Sequence, residues 1–113
     1  MSSRLLAADA GAVPLEVSIP AGTEVLEGDP TARYCAITDL GNGAEAGVWE
    51  MTAGCVRDVE SDEIFVVLSG DATLRFDDGE TIDLRPGVLV RLCAGDRTEW
   101  RVRDTLRKLY VSL

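Results

Sequence analysis

Glu63 opens the apolar run Ile64-Phe65-Val66-Val67-Leu68. A carboxyl set in such a strand loses water, which disfavours its charged form, raises its pKa and suits it to proton transfer near neutral pH. Lys108 and Tyr110 stand two residues apart, so they share one face of a strand. Either would serve as the second group of an isomerase, a cyclase or a dehydratase centred on Glu63. The plainer reading of Lys108 is a strand-end lysine whose head reaches solvent. The chain contains no histidine. That removes the usual general base and the usual metal ligand, and with them any Ser-His-Asp or Cys-His mechanism. Cys35, Cys55 and Cys93 are odd in number and form no C-x-x-C, so neither a disulfide framework nor a zinc site is expected. They read as free thiols of a cytoplasmic protein. A nucleophilic cysteine would need a neighbouring Arg, Lys or helix N-terminus to lower its pKa.

The elements that carry these residues read as short strands parted by turn signals. Ser69-Gly70-Asp71 breaks the Glu63–Leu68 run, which is continuously apolar after its first residue, as for a strand buried on both faces. Ala72, Leu74 and Phe76 alternate with Thr73 and Arg75, and Asp77-Asp78-Gly79-Glu80 signals a tight hairpin. Thr81–Arg85 and Val88–Leu92 follow, each closed by a Gly-containing turn. Thr98, Trp100 and Val102 share one parity, Asp104 interrupts, and Leu106–Val111 ends the series. Upstream, Arg33–Thr38 and Ala46–Met51 flank Gly41-Asn42-Gly43, and Leu15, Val17 and Ile19 alternate before Pro20-Ala21-Gly22. No segment carries a helical stripe over three turns. Many short strands at regular spacing predict an all-β sandwich or small barrel.

With 113 residues the chain suits one domain. We place a barrel over 33–113 and an N-terminal arm over 1–32 whose strand adds either to its own barrel or to that of a partner, as in a swapped dimer. The net charge of −9 argues against nucleic acid and anionic membrane as partners. All of that excess falls in residues 1–63, where 12 acids face three arginines; residues 64–113 hold eight of each sign. No apolar run is long enough for a membrane span, and the N-terminus does not read as a signal peptide, so a cytoplasmic location is expected.

Trp49-Glu50-Met51-Thr52-Ala53-Gly54, Asp62-Glu63 with Leu68-Ser69-Gly70, Pro86-Gly87, Ala94-Gly95, Trp100 and Arg107-Lys108-Leu109-Tyr110-Val111 together resemble a small cupin. The nearest subgroup is the ethanolamine-utilisation-like cupins, which share a domain type with ureidoglycine aminohydrolase. The resemblance covers about residues 47–113. It implies an antiparallel double-sheet, jelly-roll-like barrel with a pocket between the sheets. We expect a homodimer, formed through sheet faces or the N-terminal strand.

Metal-binding cupins use the motifs G-x5-H-x-H-x3,4-E-x6-G and G-x5-P-x-G-x2-H-x3-N. Here Glu63 and Gly70 fit the end of the first. Its histidine positions hold Arg57 and Val59 with the three-residue gap, or Val56 and Asp58 with the four-residue gap. In the second motif Gly87 and Gly95 fit, Cys93 replaces the proline and Thr98 the histidine. One carboxylate among such residues is no transition-metal site, so no metal and no cofactor is expected. On this alignment Arg57, Glu63 and Thr98 point into the barrel, and parity adds Trp100. An internal Arg57–Glu63 ion pair filling the space left by a lost metal is one outcome. The other is a small polar ligand, a carboxylate or an amide, held by Arg57 and walled by Trp100 and Trp49, with Lys108 and Tyr110 nearby. Three roles remain open: a metal-free small-molecule binder, an acid–base enzyme with Glu63 as its catalytic group, and a dimeric scaffold. Trp49 and Glu50 have opposite parity, so only one of them faces inside.

Overall fold

The computed structural model describes residues 4–113, and every strand pairing in it is antiparallel. A short 3-10 turn at Ala10–Ala12 precedes nine strands: β1 Val17–Ile19, β2 Glu24–Glu27, β3 Ala32–Gly41, β4 Ala44–Met51, β5 Gly54–Val59, β6 Glu63–Phe76, β7 Thr81–Leu84, β8 Leu89–Leu92 and β9 Arg97–Ser112. Among the described residues no helix is long and apolar enough to cross a membrane.

Two long strands turn one continuous sheet into two facing layers. The first half of β9 pairs with β5 and its second half with β4, while β6 runs beside it throughout. β6 divides its other edge in the same way, giving its first residues to β8 and its last to β7. One layer is therefore β1-β3-β4-β9-β6-β8 and the other β2-β5-β9-β6-β7. The inward side chains of both layers form one core that includes Met51, Val56, Phe65, Leu74, Leu84, Leu92, Trp100 and Leu106.

Both long strands differ from the sequence expectation. Ser69-Gly70-Asp71 and Asp104 do not end strands; they lie at the bends where β6 and β9 pass from one layer to the other. The β6–β9 register slips at Val67/Ser69, Ser69/Asp71 and Asp71/Ala72, and Gly70 sits at φ 104° with no room for a side chain. A Cβ there would stand 2.3 Å from the Thr105 carbonyl oxygen and 2.7 Å from the Leu106 Cα, so the two bends nest against each other. The first half of β6 is also not buried on both faces. Phe65 and Val67 are fully inside, but Ile64 is 37% exposed on the outer surface.

The Gly41-Asn42-Gly43 and Asp78-Gly79 turns stand where their residues place them. Asn42 (φ 55°) and its flanking glycines occupy the left-handed region that such short connections need. Two strands were not foreseen. β5 follows directly on the Thr52-Ala53-Gly54 turn, and β2 is a short edge strand whose four residues begin and end on glutamate. β2 pairs with β5, and β1 pairs with β3, so within this chain the N-terminal arm adds strands to its own barrel. It also covers part of the outer surface, where Arg107 donates to the Val13 carbonyl at 2.9 Å and Leu15 is buried.

Candidate functional site

A cavity of about 340 Å³ opens into the barrel, within the size range of small-molecule pockets. Tyr34 comes from β3, Glu45 and Trp49 from β4, Asp58 from β5, Glu63 from β6, and Trp100, Lys108 and Tyr110 from β9. Glu60 enters from the β5–β6 connection, and Ile19, Pro20 and Ala21 reach in from the arm.

Strand parity explains who faces inside. Trp49, Lys108 and Val67 are register partners across β4, β9 and β6, so their side chains share the inner face. Glu50 and Arg107, one step along, pair on the outer face at 3.3 Å. Trp49 is thus the inward member of its pair with Glu50.

Lys108 is the centre of the arrangement. Its ammonium donates to Glu63 Oε2 at 2.6 Å and stands 4.6 Å from the ring centres of Trp49 and Phe65 and 4.9 Å from that of Trp100. Electron-rich ring faces attract a cation, more so where water is excluded. Lys108 is 6% exposed, so three rings and one carboxylate replace its hydration shell. It is not a strand-end lysine in solvent.

A second cluster forms around Glu60. Thr98 Oγ1 donates to Glu60 Oε2 at 2.5 Å and the Trp100 indole N–H donates to the same oxygen at 3.0 Å. The Tyr110 hydroxyl donates to Glu45 Oε2 at 2.7 Å. Burial and this acceptor push the Tyr110 hydroxyl well above its usual titration range, which keeps it a neutral donor. Gly47 makes that position possible, because a Cβ there would lie 2.5 Å from the Tyr110 oxygen. The Asp58 carboxyl is raised above the usual carboxylate range, first by burial and next by the charge of Glu60.

Glu63, Trp49, Trp100, Lys108 and Tyr110 therefore line one cavity, with Thr98 joined to it through Glu60. Arg57 does not join them. It projects from the outer face of β5, 58% exposed, with its guanidinium 3.4 Å from Glu24. The expected Arg57–Glu63 pair is overturned, and so is Arg57 as an anchor inside this cavity. The reason is a single residue of spacing: of the two gaps the motif allows, the four-residue one matches the strand, and Val56 and Asp58 face inward. A one-residue slip exchanges the two faces of a strand. Lys108 takes the place expected of Arg57 as the cation beside Glu63. Sequence reasoning also missed Glu45, Asp58, Glu60, Tyr34 and the arm residues as cavity wall. Asp58 and Glu60 left a signal, as acids close to Glu63.

The four motif positions thus hold Val56, Asp58, Glu63 and Thr98. One apolar residue, one hydroxyl, the Asp58 carboxyl and a carboxylate already bound by ammonium supply no nitrogen or sulfur donor and do not fit a transition-metal ion. Among the described residues no three His, Cys, Asp or Glu side chains converge as ligands would. The three cysteines are free. Cys55 is buried, and burial pushes its thiol up despite the nearby Arg101, the opposite of what a nucleophile needs.

Comparison with known proteins places this geometry. No curated protein matches the chain by sequence. Among solved structures, the EutQ protein of Clostridium difficile is similar over 74% of this chain and 68% of its own, with TM-score 0.63 and 22% identity. Ectoine synthase from P. lautus is similar over 78% of this chain and 66% of its own, with TM-score 0.61 and 20% identity. A protein of unknown function from Pseudomonas syringae covers 93% of this chain and 46% of its own, with TM-score 0.77 and 19% identity. At these identities the likeness is one of fold. The sequence model of the EutQ-like cupin domain matches residues 39–110, which leaves Ile19, Pro20, Ala21 and Tyr34 of the cavity wall outside it. Those 72 matched residues are more than half of the chain, and the chain belongs to the EutQ-like cupin domain family.

Proposed function

We propose that this protein binds a small polar organic molecule in its barrel without holding a metal. One observation carries the reading: the cavity joins indole walls, Trp49 and Trp100, to polar groups from five strands and one loop. Cavities of this kind bury a ligand's apolar body and orient it through a few placed polar contacts. The donor set supports the metal-free part, since Glu63 is already engaged by Lys108. The same contact weakens the case for Glu63 as a catalytic acid or base, because the carboxylate would have to give up its ammonium partner to take a proton. The finer likeness to the domain type of ureidoglycine aminohydrolase rests on sequence resemblance alone, and no reaction is transferred from it.

Native mass spectrometry of untagged protein, purified without chelator, tests the reading. The expected spectrum shows an adduct of metabolite size and no stoichiometric metal, and the Trp49→Ala variant loses the adduct. A stoichiometric metal overturns the metal-free reading. An adduct retained by Trp49→Ala overturns the assignment to this cavity.

A further inference from the structure

The charges around the cavity do not balance. Lys108 is its single basic side chain among the described residues, and that ammonium is already bound by Glu63. Glu45, Asp58 and Glu60 also line the cavity, and none of the three makes an ion pair among the described residues. Glu60 accepts two neutral donors, from Thr98 and Trp100, and Glu45 accepts one from Tyr110. Hydrogen bonds from neutral groups orient a carboxylate but leave its charge in place. Partly buried carboxylates repel one another, and the Asp58 carboxyl, raised first by burial, is raised further by the charge of Glu60. An anion entering this cavity meets three carboxylates and finds the one ammonium occupied. A cation relieves the repulsion.

We propose that the ligand is an organic cation, a primary amine or amidine with an apolar body. Its charged head contacts Asp58 and Glu60, and its body lies against Trp49 and Trp100. This rests on the cavity being a small-molecule site at all. It replaces the carboxylate or amide that the sequence suggested, because that expectation depended on Arg57 facing inward.

The chain's two tryptophans both line the cavity, so their fluorescence reports occupancy directly. Three probes of similar size but different charge separate the possibilities: 2-phenylethylamine, 2-phenylethanol and 3-phenylpropionate, titrated at pH 7.5 and low salt. The amine is expected to bind at least about tenfold more tightly than the carboxylate, equivalent to about 1.4 kcal/mol. The Glu60→Gln variant, which keeps an acceptor for Thr98 and Trp100, is expected to weaken the amine about fivefold or more and leave the alcohol unchanged, as loss of one partly screened charge predicts. Unchanged alcohol binding certifies that the variant is folded. If the carboxylate binds as tightly as the amine, or Glu60→Gln leaves amine binding intact, the cation proposal fails while the small-molecule site stands. If none of the three perturbs the tryptophans up to millimolar concentration, both readings fail.

Discussion

At the scale of single residues, the Lys108–Glu63 pair decides how the barrel interior is held. The two side chains are 7% and 19% exposed, so each has lost most of its water and depends on the other. Removing one partner of a buried pair leaves an uncompensated charge and typically costs about 3–5 kcal/mol, whereas replacing both is often close to neutral. Lys108→Met should therefore destabilise the protein by about 3 kcal/mol, and adding Glu63→Gln should restore most of the loss. Urea unfolding of the two single variants and the double variant measures this coupling; strictly additive effects would remove the pair from the account.

Asp58 yields a pH prediction of opposite sign to the surface acids. Its carboxyl is raised, so in the window above the ordinary carboxylate value the folded state binds more protons than the unfolded state, and stability falls as pH rises. Glu27 and Asp71, held low by Arg101 and Arg103, contribute stability that is lost as pH falls. Comparison with Asp58→Asn cancels those surface contributions. The variant should match the wild type in melting temperature near pH 3.5 and exceed it at pH 7.5. A difference that does not change with pH would mean that Asp58 is not strained by burial.

Much of this site was legible in residue types and parity. Lys108 and Tyr110 share a face because they lie two apart, and Glu63 was marked by the apolar run behind it. Arg57 was misplaced because β5 had not been recognised as a strand, so nothing fixed its phase. Glu45 could not be found from the chain, since its role depends on Tyr110, 65 residues away.

At the scale of elements, the bends in β6 and β9 set the cavity's shape by letting each strand serve two layers. Gly70 is the tightest point, with both a positive φ and no space for a Cβ. Gly79 also has a positive φ (97°), but its Cβ would meet nothing within 4 Å. Backbone strain alone costs about 1 kcal/mol for a left-handed alanine, and a clash with fixed backbone adds to it. Gly70→Ala should therefore lose at least about 2 kcal/mol more than Gly79→Ala in chemical unfolding, with reduced tryptophan burial in the first variant only. Equal losses would show that the two bends are not tightly nested. In sequence Ser69-Gly70-Asp71 carries the same signal as a turn that ends a strand. Only pairing with β9 on both sides distinguishes a bend from a break, and that information is not local.

At the scale of the whole molecule, the charge asymmetry along the chain becomes a pairing across the barrel. Acids of the first part meet bases of the second or of the same sheet: Glu24 with Arg57, Glu27 with Arg101, Glu50 with Arg107, Asp62 with Arg91 and Glu63 with Lys108. Asp71 serves Arg85 and Arg103. These six carboxylates engage seven of the 11 basic residues, so most of the 20 acids have no cationic partner among the described residues. Exposed pairs contribute about 0–1 kcal/mol each, and salt screens them. The same salt screens the repulsion of a net charge of −9, which opposes the compact state and is summed over many pairs. The two effects have opposite sign, and the imbalance of acids over bases makes repulsion the larger. Raising sodium chloride from about 10 to about 200 mM, which shortens the Debye length from about 30 to under 10 Å, should therefore raise the melting temperature at pH 7.5. An organic cation in the cavity should reduce that salt dependence, because it removes part of the charge that salt would otherwise screen. A melting temperature that falls with salt would instead make the cross-barrel pairs the dominant electrostatic contribution, with the unpaired acids too far apart to matter.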